Sequence, residues 1–177
     1  LRRQRQMCIR DSGRIAYIGK NAPEEKPERI LDGAGMVLMP GLVNCHTHLP
    51  MSLLRGYGEE LPLSEWLSRS IFPQEERMDA RSVKAAALLS IAECLRFGVT
   101  SVSDMYFCSN AVAEAVAESG IKANLCHAVT TDRTDDFDPD TDPDFREAEA
   151  LHDKWHGYDD GRIRVDCGIH AEYTSTY

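Results

Sequence analysis

The apolar positions change period along the chain, and those changes mark out its elements. Residues 13–20, GRIAYIGK, alternate as a strand does, and residues 29–45, RILDGAGMVLMPGLVNC, read as short strands broken by Gly33, Gly35 and the Pro40–Gly41 turn. Further on, LVNC at 42–45, VTSVSD at 99–104, KANLCHAV at 122–129 and RIRVDCGIH at 162–170 are strand-like runs rich in β-branched or small apolar residues. Helical periodicity fills the gaps. In residues 82–98, Val83, Ala87, Ile91 and Leu95 fall on one helical face, with Ser82 placed to cap the start and Gly98 to close the end. Residues 110–120 and 144–157 repeat the scheme, each ending in glycine. Strand and helix in alternation predict a parallel sheet of βαβ units. An eight-fold barrel of such units takes roughly 250 residues, so about four strands fit either half a barrel or a small open sheet.

Polar residues favour the barrel. Each inferred strand delivers one near its C-terminal end: His46 and His48, then Asp104, His127 and His170. Barrel enzymes gather their chemistry on that face. Open α/β sheets also bind ligands beyond their strand ends, but the first strand-to-helix turn here has no glycine-rich phosphate loop.

Composition narrows the class. With 42% apolar and 28% charged residues the chain reads as globular, and no run approaches the roughly 18 apolar residues of a membrane span. The formal charge of -9 argues against nucleic acid, which needs a basic face. Six cysteines without a C-x-x-C pair fit free thiols in a reducing, cytoplasmic setting. Residues 1–12 carry +3 while the other 165 sum to -12, and this mismatch predicts a non-native leader rather than a native basic arm, so they are set aside from the fold.

Two imidazoles two residues apart in an extended segment point to one side, so His46 and His48 suit a first-row metal ion. The alternative is a pair of histidines packing at a strand end. His152 and His156 have metal-competent i,i+4 spacing, but the Glu of a zinc-protease helix is missing and the neighbours are charged, which predicts a solvated helix face. The acid-dense run 131–145 raises a calcium loop from Asp136 to Glu147. Thr141 stands at its glycine position and Pro139 and Pro143 stiffen it, so a solvated loop is expected. By pattern alone, Trp66 is a core aromatic and Glu75 a surface charge.

Taken together, residues 39–67 (MPGLVNCHTHLPMSLLRGYGEELPLSEWL), the FP at 72–73 with Glu75 two residues on, residues 97–107 (FGVTSVSDMYF) and residues 168–175 (GIHAEYTS) resemble the amidohydrolase superfamily. The nearest branch is that of the methylthioadenosine and S-adenosylhomocysteine deaminases and related chlorohydrolases. The resemblance implies an α/β fold, the N-terminal portion of a distorted (β/α)8 TIM-type barrel (residues 41–177), preceded by part of a small β-sandwich (residues 13–40). It implies one metal, zinc or else iron or another first-row ion, with His46 and His48 as two of its ligands. Glu75 matches a carboxylate that holds substrate hydroxyls, His170 a substrate-facing histidine and Trp66 a pocket aromatic. His127 stands where relatives often carry an arginine. The third metal histidine, a proton-shuttling glutamate and a metal-bound aspartate are expected beyond Tyr177, leaving no catalytic acid or base within these residues. The implied function is hydrolytic deamination of an adenine-type nucleoside: methylthioadenosine, S-adenosylhomocysteine or adenosine. A chlorohydrolase or other ring hydrolase, and a half-barrel inactive by itself, are the alternatives. The implied partner is a nucleoside-like small molecule, with homo-oligomerisation open.

Overall fold

The computed structural model describes residues 6–9, 14–21, 26–130 and 138–175. The chain divides into two units, Leu1–Pro40 and Gly41–Tyr177.

In the first unit β1 (Gln6–Ile9) pairs antiparallel with β2 (Ile15–Gly19). β1 lies within the basic stretch 1–12. The short strands expected within residues 29–40 do not form. That segment makes one turn, Met36 N–H to the Gly33 carbonyl at 2.9 Å, and its Ile30, Leu31, Met36, Val37, Leu38 and Met39 are exposed.

The second unit is built on four parallel strands: β3 (Leu42–Thr47), β4 (Val99–Tyr106), β5 (Lys122–His127) and β6 (Ile163–Val165). Their spatial order equals their sequence order. Doubly wound sheets reverse direction at a switch point, whereas a barrel sheet adds each strand beside the last. The fold is α/β, in the manner of the opening strands of a (β/α)8 barrel. The first two strands run further than expected, so His46 lies inside β3 and Asp104 inside β4. The last is shorter than expected, three residues followed by an irregular stretch and a single bridge from Val129 to Ile169.

Between β3 and β4 lie a 3-10 turn (Leu49–Leu54), then a helical stretch in three parts, α1 (Leu63–Glu65), a π-helical turn (Trp66–Ile71) and α2 (Phe72–Glu75), and then α3 (Ala80–Arg96). The helices α4 (Ser109–Ser119) and α5 (Pro143–Trp155) follow β4 and β5. The start of α3 departs from the expected Ser82 cap. Asp79 is the N-cap, its carboxylate accepting from Ser82 N–H at 2.8 Å while Ser82 Oγ accepts from Asp79 N–H at 2.9 Å. A reciprocal box satisfies two otherwise unpaired backbone donors, which Ser82 alone could not. At the other end Gly98 takes φ +83°, a left-handed conformation that costs glycine nothing.

The core forms where period 3.6 meets period 2. Val83, Ala87 and Ile91 of α3, Val112 and Val116 of α4, and Leu151 and Trp155 of α5 pack with Val102, Tyr106, Leu125, Ile163 and Val165 of the strands. Leu95, expected on the α3 stripe, is 43% exposed, and Cys94 packs against the core in its place. Each fully buried Ile or Leu here contributes about 1.5–3 kcal/mol. Alternate residues of β4 and β5 face this helical layer, which leaves Met105 and Cys126 on the opposite side. No helix among the described residues is long and apolar enough to cross a membrane.

Candidate metal and substrate site

The C-terminal end of β3 is bulged. Asn44 pairs with Val102 and Thr47 with Asp104, so three steps on β3 are matched by two on β4. A bulge re-aims the side chains inside it, and His46 lies in this one. The His46 and His48 ring centres are 5.0 Å apart and nearly perpendicular. With each nitrogen about 2.0–2.1 Å from a shared zinc, ring centres lie roughly 3.2 Å from the ion and about 5 Å apart at a near-tetrahedral angle. The pair meets that requirement.

His48 is also oriented. Its Nδ1 lies 2.8 Å from the Met105 carbonyl, which only accepts, so Nδ1 carries the proton and Nε2 presents its lone pair. The turn around it is braced by Asp104, only 4% exposed, whose Oδ1 accepts from Leu49 N–H at 2.6 Å and lies 2.8 Å from Thr47 Oγ1, a hydroxyl shared with the Ser103 carbonyl at 2.8 Å. Burial pushes the Asp104 carboxyl up to about 6, against the opposing effects of the Leu49 and Thr47 hydrogen bonds.

When protonated, His48 also acts electrostatically on Glu75 and His170. Burial raises the Glu75 carboxyl above its ordinary range, opposed by the Tyr106 hydroxyl and then by His48. Burial lowers His170, and His48 lowers it further. His170 Nδ1 is 2.8 Å from Thr174 Oγ1, which also lies 3.1 Å from the Ala171 carbonyl. Glu75 Oε1 accepts from Tyr106 Oη at 2.7 Å.

Trp66, His46 and His48 line one cleft of about 560 Å³ together with Asn44, Met51 and Ser90. Glu75 and His170 are outside that lining. Trp66 is half-buried, and its indole N–H donates to the Tyr57 carbonyl at 2.9 Å. Gly58, at φ +75°, packs against the same turn: a Cβ there would lie 2.7 Å from Ser70 Cβ and 3.1 Å from Trp66 Cδ1. The π turn sets the angle between the two outer candidates. Nine residues of α-helix, at about 100° each, would put Trp66 and Glu75 on opposite faces. Six residues in a π turn of about 4.4 residues per turn bring them to roughly a quarter turn apart.

Other sequence candidates lie elsewhere. His127 ends β5 facing the helical layer, 5% exposed, with Nδ1 3.1 Å from Ser109 Oγ and Nε2 3.5 Å from Asp144 Oδ1. It bolts the starts of α4 and α5 to the sheet. His152 on α5 and His156 just past its end are exposed with rings stacked at 4.7 Å, and His156 Nδ1 contacts the Val165 backbone. Asp136 lies outside the described residues, and Glu147, inside α5, accepts from Asn110 at 3.2 Å. Sequence reasoning noted Asp104 only as a strand-end polar group and missed Tyr106. Their signal was an acid and a phenol on the buried alternation of residues 99–106, in phase with Val102. Among the described residues no group of three His, Cys, Asp or Glu side chains is placed to hold a metal.

A parallel sheet with paired imidazoles at the end of its first strand defines a class, and the comparisons identify it. The chain belongs to the amidohydrolase family, whose model matches residues 37–177. It is 40% identical over 160 residues to a 5-methylthioadenosine/S-adenosylhomocysteine deaminase of Thermoanaerobacter pseudethanolicus, covering 90% of this chain and 36% of that protein. It is 39% identical over 165 residues to a 5'-deoxyadenosine deaminase of Methanobrevibacter smithii, covering 92% and 37%. Among solved structures it resembles a zinc-bound adenosine deaminase from Xanthomonas campestris, with TM-score 0.74, 29% identity, and 96% and 39% of the two chains covered. It also resembles the zinc complex of atrazine chlorohydrolase from Arthrobacter aurescens, with TM-score 0.80, 23% identity, and 97% and 43% covered. The second likeness is one of fold alone. The chain spans little more than a third of the curated relatives it matches.

Proposed function

We propose that these residues form part of a metal-dependent aminohydrolase that removes the amino group of an adenine-type nucleoside. The observation that carries this reading is the oriented imidazole pair: His48 Nε2 is freed by the Met105 carbonyl, and the His46 ring stands at chelating separation. It is supported by the names of the relatives, nucleoside deaminases about 40% identical over nine-tenths of this chain. Two neutral imidazoles fit zinc, the ion named in two of the similar structures. When bound there, such an ion supplies the Lewis acidity that makes water nucleophilic at neutral pH. The water oxygen forms a bond to the amine-bearing ring carbon, and the carbon–nitrogen bond breaks to release ammonia.

The chain's own groups place the substrate. Trp66 offers an aromatic face for the base, Glu75 a carboxylate for the ribose hydroxyls, and His170 a substrate-facing imidazole. The partner is a small nucleoside. The test follows product from the complete enzyme supplied with methylthioadenosine, 5'-deoxyadenosine or a chlorotriazine. Ammonia from the nucleosides is the expected product; chloride from the triazine, with no ammonia from either nucleoside, would replace this reading with the chlorohydrolase one.

A further inference from the structure

Tyr106 is the last residue of β4, 4% exposed, with its ring in the core and against Phe107 at 5.2 Å. A phenylalanine would fill that space equally well, so the hydroxyl needs a separate account. It donates to Glu75 Oε1 at 2.7 Å, across 31 residues of sequence, and lies 3.7 Å from Met78 Sδ. We propose that Tyr106 is a positioning residue for Glu75, anchoring its carboxylate to the rigid sheet so that the remaining lone pairs meet the two hydroxyls of a ribose. This rests on the reading of Glu75 given above.

Three features support it. Glu75 closes a four-residue helix at the end of a helical stretch already interrupted by a π turn, so its own element holds it weakly. Tyr106 comes instead from the centre of the parallel sheet, between β3 and β5. The chemistry is one-directional as well: burial and then the Glu75 carboxylate push the phenol's ionisation far above its usual range, so the hydroxyl stays a donor. Among the described residues only the Tyr106 hydroxyl consumes a lone pair of Glu75, and an ionised carboxylate has about four such sites. Both oxygens therefore remain able to accept from a diol.

The test compares the complete zinc-loaded enzyme with its Tyr106→Phe, Glu75→Gln and double variants, on methylthioadenosine and on a 2',3'-dideoxyadenosine that lacks both ribose hydroxyls. Tyr106→Phe is expected to raise KM for the riboside roughly three- to ten-fold, with kcat within about two-fold and zinc content unchanged, the pattern of lost ground-state positioning. On the dideoxy substrate it should change nothing. The double variant should be no worse than Glu75→Gln alone, because coupled residues are not additive. An unchanged riboside KM in Tyr106→Phe, or an equal rise on the dideoxy substrate, overturns the anchoring role. If Glu75→Gln itself leaves the riboside KM unchanged, the Glu75 assignment falls and this inference with it; a rise in Glu75→Gln without one in Tyr106→Phe removes the anchor alone. Should Tyr106→Phe not fold, Glu75→Asp withdraws the carboxylate from the hydroxyl while keeping its charge, and must raise the riboside KM by a similar factor for the proposal to stand.

Discussion

At the residue scale the site is a set of long-range bonds hung on a short motif. The H-x-H motif was legible in sequence because both imidazoles sit within three residues of one another. Their orientation was not, because the groups that fix it, Met105 and Asp104, lie more than fifty residues away and act through a backbone carbonyl and one carboxylate. Asp104 has a measurable cost. Its folded-state pKa of about 6 lies above the usual carboxylate value, so between roughly pH 4 and 6 the folded chain holds more proton than the unfolded chain, and stability falls as pH rises through that window. Asp104→Asn removes this titration while retaining an oxygen to accept from Leu49 N–H. The expected result, in urea unfolding of the metal-free protein, is a parent that loses on the order of 2–3 kcal/mol relative to Asp104→Asn between pH 4 and 7. Parallel pH profiles for the two proteins would show that Asp104 carries no strained charge.

At the element scale, the alternation of strand and helix was readable because buried faces impose periods of 2 and 3.6 on the same chain. Val83, Ala87 and Ile91 were placed correctly for that reason. The π turn at Trp66–Ile71 was not readable, since its altered rotation mimics an interrupted helix pattern. By ideal geometry this turn rotates Trp66 and Glu75 towards one another, and Gly58 packs closely against it. Gly58→Ala should therefore cost twice, about 1–2 kcal/mol for a left-handed alanine and more for displacing Ser70 and Trp66. The expected outcome is a lower thermal midpoint with an altered tryptophan emission, whereas Gly56→Ala, equally left-handed but with only a Glu59 side-chain oxygen at 3.5 Å, should lower the midpoint without the emission change. Identical emission in both variants would mean that Gly58 does not set the Trp66 position.

At the scale of the whole molecule, the four strands lie in barrel order and the described residues bring two imidazoles together at the end of the first. The account rests on those two imidazoles sharing one metal ion. Elemental analysis of the complete enzyme and of its His46→Ala, His48→Ala double variant, after dialysis against a weak chelator, tests this most directly. The prediction is one zinc or other first-row ion per chain in the parent and none in the variant, because a catalytic site keeps only about three or four protein ligands and does not survive the loss of two. Equal metal content in the two proteins would contradict the assignment of this site.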